Sequence, residues 1–479
     1  MSEMLPLFMF GALAVLLFSG FPVAWVLGGV GLAFGFIGMW TGDFLFIQFS
    51  TLPSRIFGGI MESLILTAIP MFTFMGMMLE RSGVARDMLN CLTVLLRRVP
   101  GGLALAVTLM GTVLAATTGI IGASVVMMTL LALPVMMERN YDTGLATGTI
   151  AASGCLGILI PPSIMLVIMA DLLSRSVGTL FMAAVVPGVM LAGLYVVYIV
   201  VRCAINPKLA PPLPRDVGPT GAGPIAVMVV RSFVPPVILI VLVLGSIVGG
   251  FATPTEAAGI GALGATLLAF VNLVILPWLG VKDFTLDTAP QPETPQVSPL
   301  KGFWQSFRQV VDNTAQTNAM IFGIFIGATL FSYIFRALGG DDLIIGMVDA
   351  LGLGDWGLLL VIMALIFVLG FFFDWIEITL IVLPVFAPIF AQMTFDGHVD
   401  KFEVTYWLAI MIAINLQTSF LTPPFGFALF YLKAVAPKGV RLQDIYRGII
   451  PFVILQLIAL ALVIAFPQIA LWLPRELIH

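Results

Sequence analysis

The fold is decided by a stretch that holds two consecutive prolines, Leu156-Gly157-Ile158-Leu159-Ile160-Pro161-Pro162-Ser163-Ile164-Met165-Leu166. It lies inside an apolar segment, about 144–173, that is long enough to cross a membrane as a helix. Pro161 and Pro162 lack backbone N–H groups and their rings clash with the preceding turn, which disfavours a continuous helix. In hydrocarbon, broken backbone is tolerated only where protein or a water-lined cavity satisfies the freed polar groups. The sequence therefore predicts a broken membrane helix over about 144–173.

A second stretch repeats the pattern, Asn415-Leu416-Gln417-Thr418-Ser419-Phe420-Leu421-Thr422-Pro423-Pro424-Phe425-Gly426, inside an apolar segment over about 404–432. The first prolines of the two pairs, Pro161 and Pro423, are 262 residues apart (423 − 161). Interrupted hydrophobic segments at corresponding places in two halves are typical of the central binding site of a transporter. The alternative interpretation is a pair of proline kinks that bind no ligand.

The composition limits the possible classes of protein. The 479 residues are 60% hydrophobic and 10% charged, with a mean hydropathy of +1.12, which indicates a polytopic membrane protein. The net charge of −4 gives no indication of a nucleic-acid partner. Two histidines and three cysteines without paired spacing argue against a zinc enzyme and a disulfide framework. No phosphate-binding loop or nucleophile motif occurs in the sequence, so we predict no enzymatic activity.

A linker rich in proline, glycine and basic residues, 202–231, divides the chain into a first half, 1–201, and a second half, 232–479. Each half is predicted to contain two spans, a third span, an interrupted apolar run, the broken helix and a closing span. The second half also holds a polar, proline-rich insertion over about 277–311, which we expect to be mobile.

The interrupted apolar runs lie at about 101–138 and about 356–392. A helix needs about 20 residues to cross the hydrocarbon, and each run is too long for one crossing and too short for two. A re-entrant helical hairpin, which enters and leaves the membrane on the same side, fits this length. The tips of the two hairpins would then lie within the membrane.

The registers of the two halves agree at further points. Pro134 and Pro384 are 250 residues apart (384 − 134). The same offset carries Ser124 onto Asp374. Because five crossings per half is an odd number, the two halves would insert with opposite orientations. The predicted fold is an all-α polytopic membrane protein with two inverted repeats, each with five membrane spans (one broken) and a re-entrant helical hairpin.

The basic residues predict the orientation. If the linker is cytoplasmic, five of the 21 lysines and arginines lie outside, namely Arg55, Arg175, Arg336, Lys401 and Arg475. The other 16 (21 − 5) lie inside, in agreement with the positive-inside rule. Both termini are then outside, the first hairpin enters from the cytoplasm and the second enters from the exterior.

The second hairpin tip is predicted to carry an acidic residue, Asp374, in Gly370-Phe371-Phe372-Phe373-Asp374-Trp375-Ile376-Glu377. A carboxylate in hydrocarbon costs on the order of 3 kcal/mol unless it is paired, hydrated or bound to a cation. Hard cations prefer oxygen ligands, which an aspartate and the free carbonyls of a helix break supply. The other interpretation is that Asp374 caps the second helix of the hairpin, and the two roles are compatible.

The first hairpin tip is neutral in sequence. Thr117-Thr118-Gly119 and Gly122-Ala123-Ser124 interrupt its apolar run. Thr118 and Gly119 make this tip more suitable for a ligand than an ordinary turn. Ser124 is a weaker candidate, because a lone serine among small residues usually packs helices together.

The chain resembles a known family in four motifs taken together, Thr67-Ala68-Ile69-Pro70-Met71-Phe72, Gly157-Ile158-Leu159-Ile160-Pro161-Pro162-Ser163, Ala252-Thr253-Pro254-Thr255-Glu256-Ala257-Ala258 and Leu421-Thr422-Pro423-Pro424. These are similar to the large membrane subunit of the tripartite ATP-independent periplasmic (TRAP) transporters of bacteria. The resemblance implies an elevator-type fold of the ion transporter superfamily in the bacterial inner membrane. It further implies sodium-coupled uptake of an organic acid, a small four-helix membrane subunit and a periplasmic substrate-binding protein.

The resemblance also assigns the candidate site residues. Substrate is expected between the two double-proline stretches, at Pro161, Pro162, Ser163, Thr422, Pro423 and Pro424. Co-transported sodium ions are expected at the hairpin tips, at Thr118, Gly119, Ser124, Gly370 and Asp374. The first tip departs from the family's commoner serine-glycine-serine, since Thr118-Gly119-Ile120 stands there, which removes one hydroxyl ligand.

Two rival functions remain open at this point. One is a transporter of the same superfamily that takes an anion or dicarboxylate without a binding protein. The other is a channel or a structural membrane subunit, for which paired broken helices have no evident use. Counterflow separates a carrier from a channel, and dependence on an added periplasmic protein separates the two carriers.

Overall fold

The computed structural model describes residues 4–119, 121–214, 218–219, 221–280, 298–423 and 426–478. Within these ranges the regular secondary structure is helical, apart from one isolated bridge between Phe395 and Val399. Seven helices are long and apolar enough to cross a membrane, or eight if a pair bent by 41° at Phe233 counts as one span. The all-α, polytopic class is confirmed.

The first half contains eleven helices in the described residues. They are α1 (Leu5–Leu17), α2 (Val23–Thr41), α3 (Phe46–Ser50), α4 (Leu52–Ile56), α5 (Ala68–Arg81), α6 (Val84–Leu96), α7 (Gly102–Thr118), α8 (Ile121–Glu138), α9 (Thr143–Cys155), α10 (Ile164–Leu172) and α11 (Val177–Ile205). A π-helical turn, Phe57–Met61, follows α4, and a 3-10 turn, Leu156–Ile158, follows α9.

The linker and the second half contain twelve more helices in the described residues. They are α12 (Ala222–Ser232), α13 (Val234–Val248), α14 (Pro254–Phe270), α15 (Leu276–Trp278), α16 (Pro299–Ala337), α17 (Gly340–Leu351), α18 (Asp355–Leu369), α19 (Trp375–Phe390), α20 (Val404–Leu421), α21 (Phe427–Val435), α22 (Leu442–Ala465) and α23 (Gln468–Ile478). Thr253 is the N-cap of α14 and forms a capping box with Glu256.

One boundary prediction is wrong. The polar insertion was expected to extend to residue 311, but residues 299–311 are the first turns of α16, a helix of 39 residues. Pro299 occupies the first position of this helix, where a proline removes no helical hydrogen bond and its fixed φ suits the helix. The number of prolines was therefore a poor guide to where the helix begins. Residues 281–297 of the predicted insertion lie outside the described residues.

Three other segments differ from their predicted form. The third span of the first half was predicted as one helix, but residues 62–67 are non-helical and separate α5 from the π-helical turn that precedes it. The linker 202–231 contains α12, and α11 continues to Ile205, past the expected boundary at 201. The closing span of the second half is divided into α22 and α23 near Pro467, whose ring and missing N–H disfavour a continuous helix.

The strongest helix packing links the two halves. Helix α2 packs along α16, and α5 packs along α14. The closing helix α22 packs against α9, while α11 packs against α20. Close approach at α9 and α22 depends on glycine, because a Cβ built on Gly448 would lie 2.0 Å from the Gly144 carbonyl oxygen. The two halves are therefore interleaved, and neither forms a separate core.

Candidate functional site

The first double proline lies in a buried, non-helical segment between α9 and α10. Residues 159–163 leave helical geometry at the place that the sequence predicts. Pro162 has no N–H to donate to the carbonyl of Ile158, four residues before it. The hydroxyl of the fully buried Ser163 donates to this Ile158 carbonyl oxygen at 2.7 Å. Ser163 therefore satisfies a carbonyl that the proline leaves free.

The second break begins after α20 and uses a different arrangement. Pro423 has no N–H for the carbonyl of Ser419, and the N–H of Thr422 donates to that carbonyl at 3.1 Å instead. The hydroxyl of Thr422 donates to the Thr418 carbonyl oxygen at 2.7 Å. Thr422 and Pro423 are half-buried. Pro424, which was assigned to the same site, lies outside the described residues.

The first hairpin is formed by α7 and α8, which pack against each other and against α9. Helix α7 ends at Gly119, whose φ of +57° is in the left-handed region that favours glycine. A Cβ on Gly119 would lie 3.1 Å from the side chain of Ile164, at the beginning of α10. Ser124 is buried within α8. The side chain of Thr118 lies outside the described part of the chain.

The base of this hairpin is held by Tyr141, in the turn between α8 and α9. Its hydroxyl accepts a hydrogen bond from the Leu103 N–H at 3.2 Å. Burial raises the pKa of Tyr141 to about 12, so the phenol remains protonated at neutral pH. The hairpin is fixed at its base by a neutral group.

The second hairpin is formed by α18 and α19, with its break at residues 370–374. Asp374 is the N-cap of α19, and its Oδ1 accepts from the Trp375 N–H at 2.8 Å. The Asp374 N–H donates to Oε2 of Glu377 at 3.1 Å. This reciprocal arrangement is a capping box. The capping interpretation of Asp374 is confirmed, and two half-buried carboxylates lie at this tip.

The second hairpin packs closely on α20. A Cβ built on Gly370 would lie 1.9 Å from the Ser419 hydroxyl oxygen. The side-chain amide of Asn415 donates to the Met363 carbonyl oxygen of α18 at 2.7 Å. The first contact connects the break of the hairpin, and the second connects α18, to the residues that precede the second double proline.

The second helix of each hairpin packs against the second part of the other half's broken helix. Helix α8 packs against α21, and α19 packs against α10. Tyr431 of α21 packs against the first hairpin, because a Cβ on Gly122 of α8 would be 3.0 Å from its ring. The carboxylates of Asp374 and Glu377 are close enough to interact electrostatically with the same phenol. Tyr431 therefore packs on the first hairpin and lies within electrostatic range of the carboxylates at the second tip.

Sequence reasoning missed Glu377 and Tyr431. The spacing of Asp374 and Glu377 matches the signature of a capping box, so Glu377 could have been found from the sequence. Tyr431 has no comparable signal, since its position depends on packing between halves that are about 300 residues apart in sequence. Among the assigned residues that the structure describes, Pro161, Pro162, Ser163, Thr422 and Pro423 lie on the two breaks, Gly119, Gly370 and Asp374 lie at the two tips, and Ser124 lies within α8.

Comparisons with known proteins agree with this architecture. The sequence model of a family described as "Tripartite ATP-independent periplasmic transporter, DctM component" matches residues 10–469. The C4-dicarboxylate TRAP transporter large permease protein DctM of Pseudomonas aeruginosa is 31% identical, and the similarity covers 87% of each chain. The sialic acid TRAP transporter large permease protein SiaM of Vibrio cholerae is 27% identical over 96% of each chain.

A solved structure shows the same fold at low sequence identity. The YdaH transporter of Alcanivorax borkumensis, described as having an unusual topology, superimposes with a TM-score of 0.56 at 12% identity. The similarity covers 89% of this chain and 88% of that one. With the family match over nearly the whole length, these findings establish that the chain belongs to the tripartite ATP-independent periplasmic transporter family, as its DctM component, the large permease protein.

Proposed function

We propose that this chain is the transport subunit of a sodium-coupled secondary uptake system for an organic acid in the bacterial inner membrane. A periplasmic binding protein delivers the substrate, and a small four-helix membrane subunit completes the complex. The two hairpins and the two broken helices form the moving domain of an elevator. The remaining helices form the scaffold.

The observation that carries the proposal is the exchanged packing of the four interrupted elements. Each hairpin contacts the second part of the broken helix of the other half, α8 with α21 and α19 with α10. Exchanged contacts of this kind are expected if the halves are inverted repeats related by a pseudo-twofold axis. Two further prolines support the repeat, Pro187 within α11 and Pro451 within α22, which are 264 residues apart (451 − 187).

The chemistry of the second tip supports sodium as the coupling ion. The Asp374 carboxylate lies at the break between α18 and α19, and the Ser419 hydroxyl lies against Gly370 at the beginning of the same break. A set of oxygen atoms that includes one carboxylate suits a hard cation. The first tip has only neutral oxygen donors, from Thr118, Gly119 and Ser124, and would bind an ion more weakly.

The organic acid is proposed from the relatives. Their names specify C4-dicarboxylate and sialic acid as substrates, and both are carboxylates. Substrate would bind between residues 161–163 and 422–424. The family description calls the transporter tripartite. This supports a binding protein and a second membrane component as partners.

The test is uptake into proteoliposomes that contain the chain and its small subunit. The ligand of the cognate binding protein is first identified by thermal shift with succinate, sialic acid and ectoine. Uptake of that ligand should then require both the binding protein and an inward sodium gradient. Sodium-independent uptake would contradict ion coupling, and uptake without the binding protein would favour the rival carrier. Absence of counterflow would favour a channel.

The orientation is tested separately with cysteines at Gly218 and Gly397. The linker is proposed to be cytoplasmic, so an impermeant thiol reagent added to intact spheroplasts should label position 397 and not 218. The native cysteines Cys91, Cys155 and Cys203 are buried, which keeps the background low. Labelling of 218 alone would reverse the orientation.

A further inference from the structure

A cavity that the double prolines do not line has a volume of about 540 Å³ and is lined by two arginines, Arg55 and Arg336. It lies between the turn that follows α4, the end of α10, and helices α16 and α19. Arg55, Arg336 and Tyr333 supply most of its polar surface, together with Ser54, Thr329 and Ser332. None of the described residues that line it is acidic. In the proposed mechanism, this cavity separates a scaffold helix from a moving one.

Arg336 is positioned by a backbone carbonyl that a proline in α19 leaves without a helical hydrogen bond. Pro388 lies inside α19 and has no N–H to donate to the carbonyl of Pro384, four residues earlier. The Arg336 guanidinium donates to that Pro384 carbonyl oxygen. Its Nε is also 3.8 Å from Oδ1 of Asp341. A guanidinium has five N–H donors, so these contacts leave donors for a ligand.

Arg55 is held by an aromatic ring. Its guanidinium carbon lies 4.4 Å from the ring centroid of Tyr333, one turn of α16 before Arg336. The Tyr333 hydroxyl in turn accepts from Thr51 Oγ1 at 3.0 Å. Among the described residues, no carboxylate lies within ion-pair distance of Arg55. The ring therefore orients a cation that has no carboxylate partner among the described residues.

We infer that this cavity is a binding site for a carboxylate anion, placed between Arg55 and Arg336 and distinct from the central site. The planar guanidinium fork matches a carboxylate group geometrically. Asp341 offsets one of the two positive charges, and the second remains to attract an anion. That the anion is the transported organic acid rests on the proposed function, whereas the site itself does not.

The site is tested through the reactivity of a cysteine placed in the cavity, Ser332→Cys. Ser332 is half-buried and lines the cavity. The full chain, with any membrane subunit that co-purifies, is placed in phosphatidylcholine nanodiscs. The reaction rates of an anionic and a cationic methanethiosulfonate reagent are measured and normalised to those of free glutathione. Ser246→Cys, another half-buried serine but on α13 and outside the cavity, is the matched control.

The positive potential should make the anionic-to-cationic rate ratio at position 332 exceed that at 246 by about threefold or more at low salt. Arg55→Gln and Arg336→Gln should each lower the ratio, and Arg336→Lys should preserve it. Arg55 is exposed, so Arg55→Gln is informative even if Arg336→Gln disturbs the contact with α19. Equal ratios at the two positions, or no response to either glutamine variant, would overturn the inference.

The occupant is tested by protection of the same cysteine. Millimolar succinate should slow its modification, and Arg55→Gln should abolish this protection. Protection only by phosphatidylglycerol added to the nanodiscs would identify a lipid headgroup and contradict a site for a soluble carboxylate. These measurements need neither sodium nor transport. A failure of sodium coupling would leave them unchanged, and a failure here would leave sodium coupling unchanged.

Discussion

The two hairpins have the same arrangement of helices, but their tips differ in charge: the predicted ligands at the first are neutral, and the second carries carboxylates. In the first, α7 ends on the left-handed Gly119, which is covered by Ile164, and the predicted ligands are neutral. In the second, α19 begins with the carboxylates of Asp374 and Glu377 in a capping box. The comparison teaches that a fold built from two similar halves need not have two equivalent ion sites. Under the proposed function, a cation would compensate the carboxylates of the second tip, whereas the predicted ligands of the first tip carry no charge.

The largest effect is expected from removing that charge with Asp374→Asn. Asparagine is a comparable N-cap, so α19 should still form. If Asp374 also binds sodium, uptake at limiting sodium should fall by about tenfold or more, since contacts with a charged group contribute on the order of 1.5–3 kcal/mol. The measurement is uptake against sodium concentration in proteoliposomes.

The matched variant at the first tip is Ser124→Ala, which should shift the sodium dependence less because it removes only a neutral hydroxyl. Thermal unfolding in detergent serves as the control for folding. If Asp374→Asn has the same sodium dependence as the wild type, Asp374 only caps α19 and does not bind sodium. An equal loss in both variants would remove the asymmetry between the tips.

A smaller effect, on stability, should distinguish the packing of the two tips. In Gly370→Ala the new Cβ would lie 1.9 Å from Ser419 Oγ, so backbone or helix α20 must move, and overpacking of this kind costs about 1–3 kcal/mol. In Gly119→Ala the nearest side-chain atom is 3.1 Å away and the φ is +57°, a left-handed conformation that costs about 1 kcal/mol for alanine.

Thermal unfolding in detergent ranks the stabilities of Gly370→Ala and Gly119→Ala. Ser419→Gly removes the two nearest atoms that the Gly370→Ala methyl would meet, so the double variant should recover part of the loss. Gly370→Ala should therefore be the less stable single variant, and the only one that Ser419→Gly improves. The reverse order would mean that the second tip is the more adaptable of the two.

The proline breaks were predictable because proline acts on its own backbone. The missing N–H of Pro162 and of Pro423 is a local property, and both breaks lie where the sequence places them. Composition misled the prediction at residues 299–311, where a proline at a helix start was interpreted as part of a mobile insertion. The packing of Tyr431 on the first hairpin is a contact between the two halves, which a local pattern does not encode.

The last comparison concerns the two breaks themselves, through the hydroxyls of Ser163 and Thr422. Ser163→Ala leaves the Ile158 carbonyl without its donor in a fully buried position, which should cost about 1–3 kcal/mol. Thr422→Val preserves shape at a half-buried position, where water can replace the hydroxyl for the Thr418 carbonyl, so the cost should be about 1 kcal/mol or less.

Thr73→Val in α5 is the control for these two variants. Its buried hydroxyl donates to the Ile69 carbonyl at 2.8 Å, but that carbonyl also has a helical N–H donor, so no group is left unsatisfied. Unfolding temperatures in detergent should therefore fall most for Ser163→Ala, less for Thr422→Val and least for Thr73→Val. If Ser163→Ala and Thr73→Val have the same unfolding temperature, the Ile158 carbonyl freed by Pro162 has another partner, such as water. The first break would then be hydrated like the second, and the difference in burial between them would have no energetic consequence.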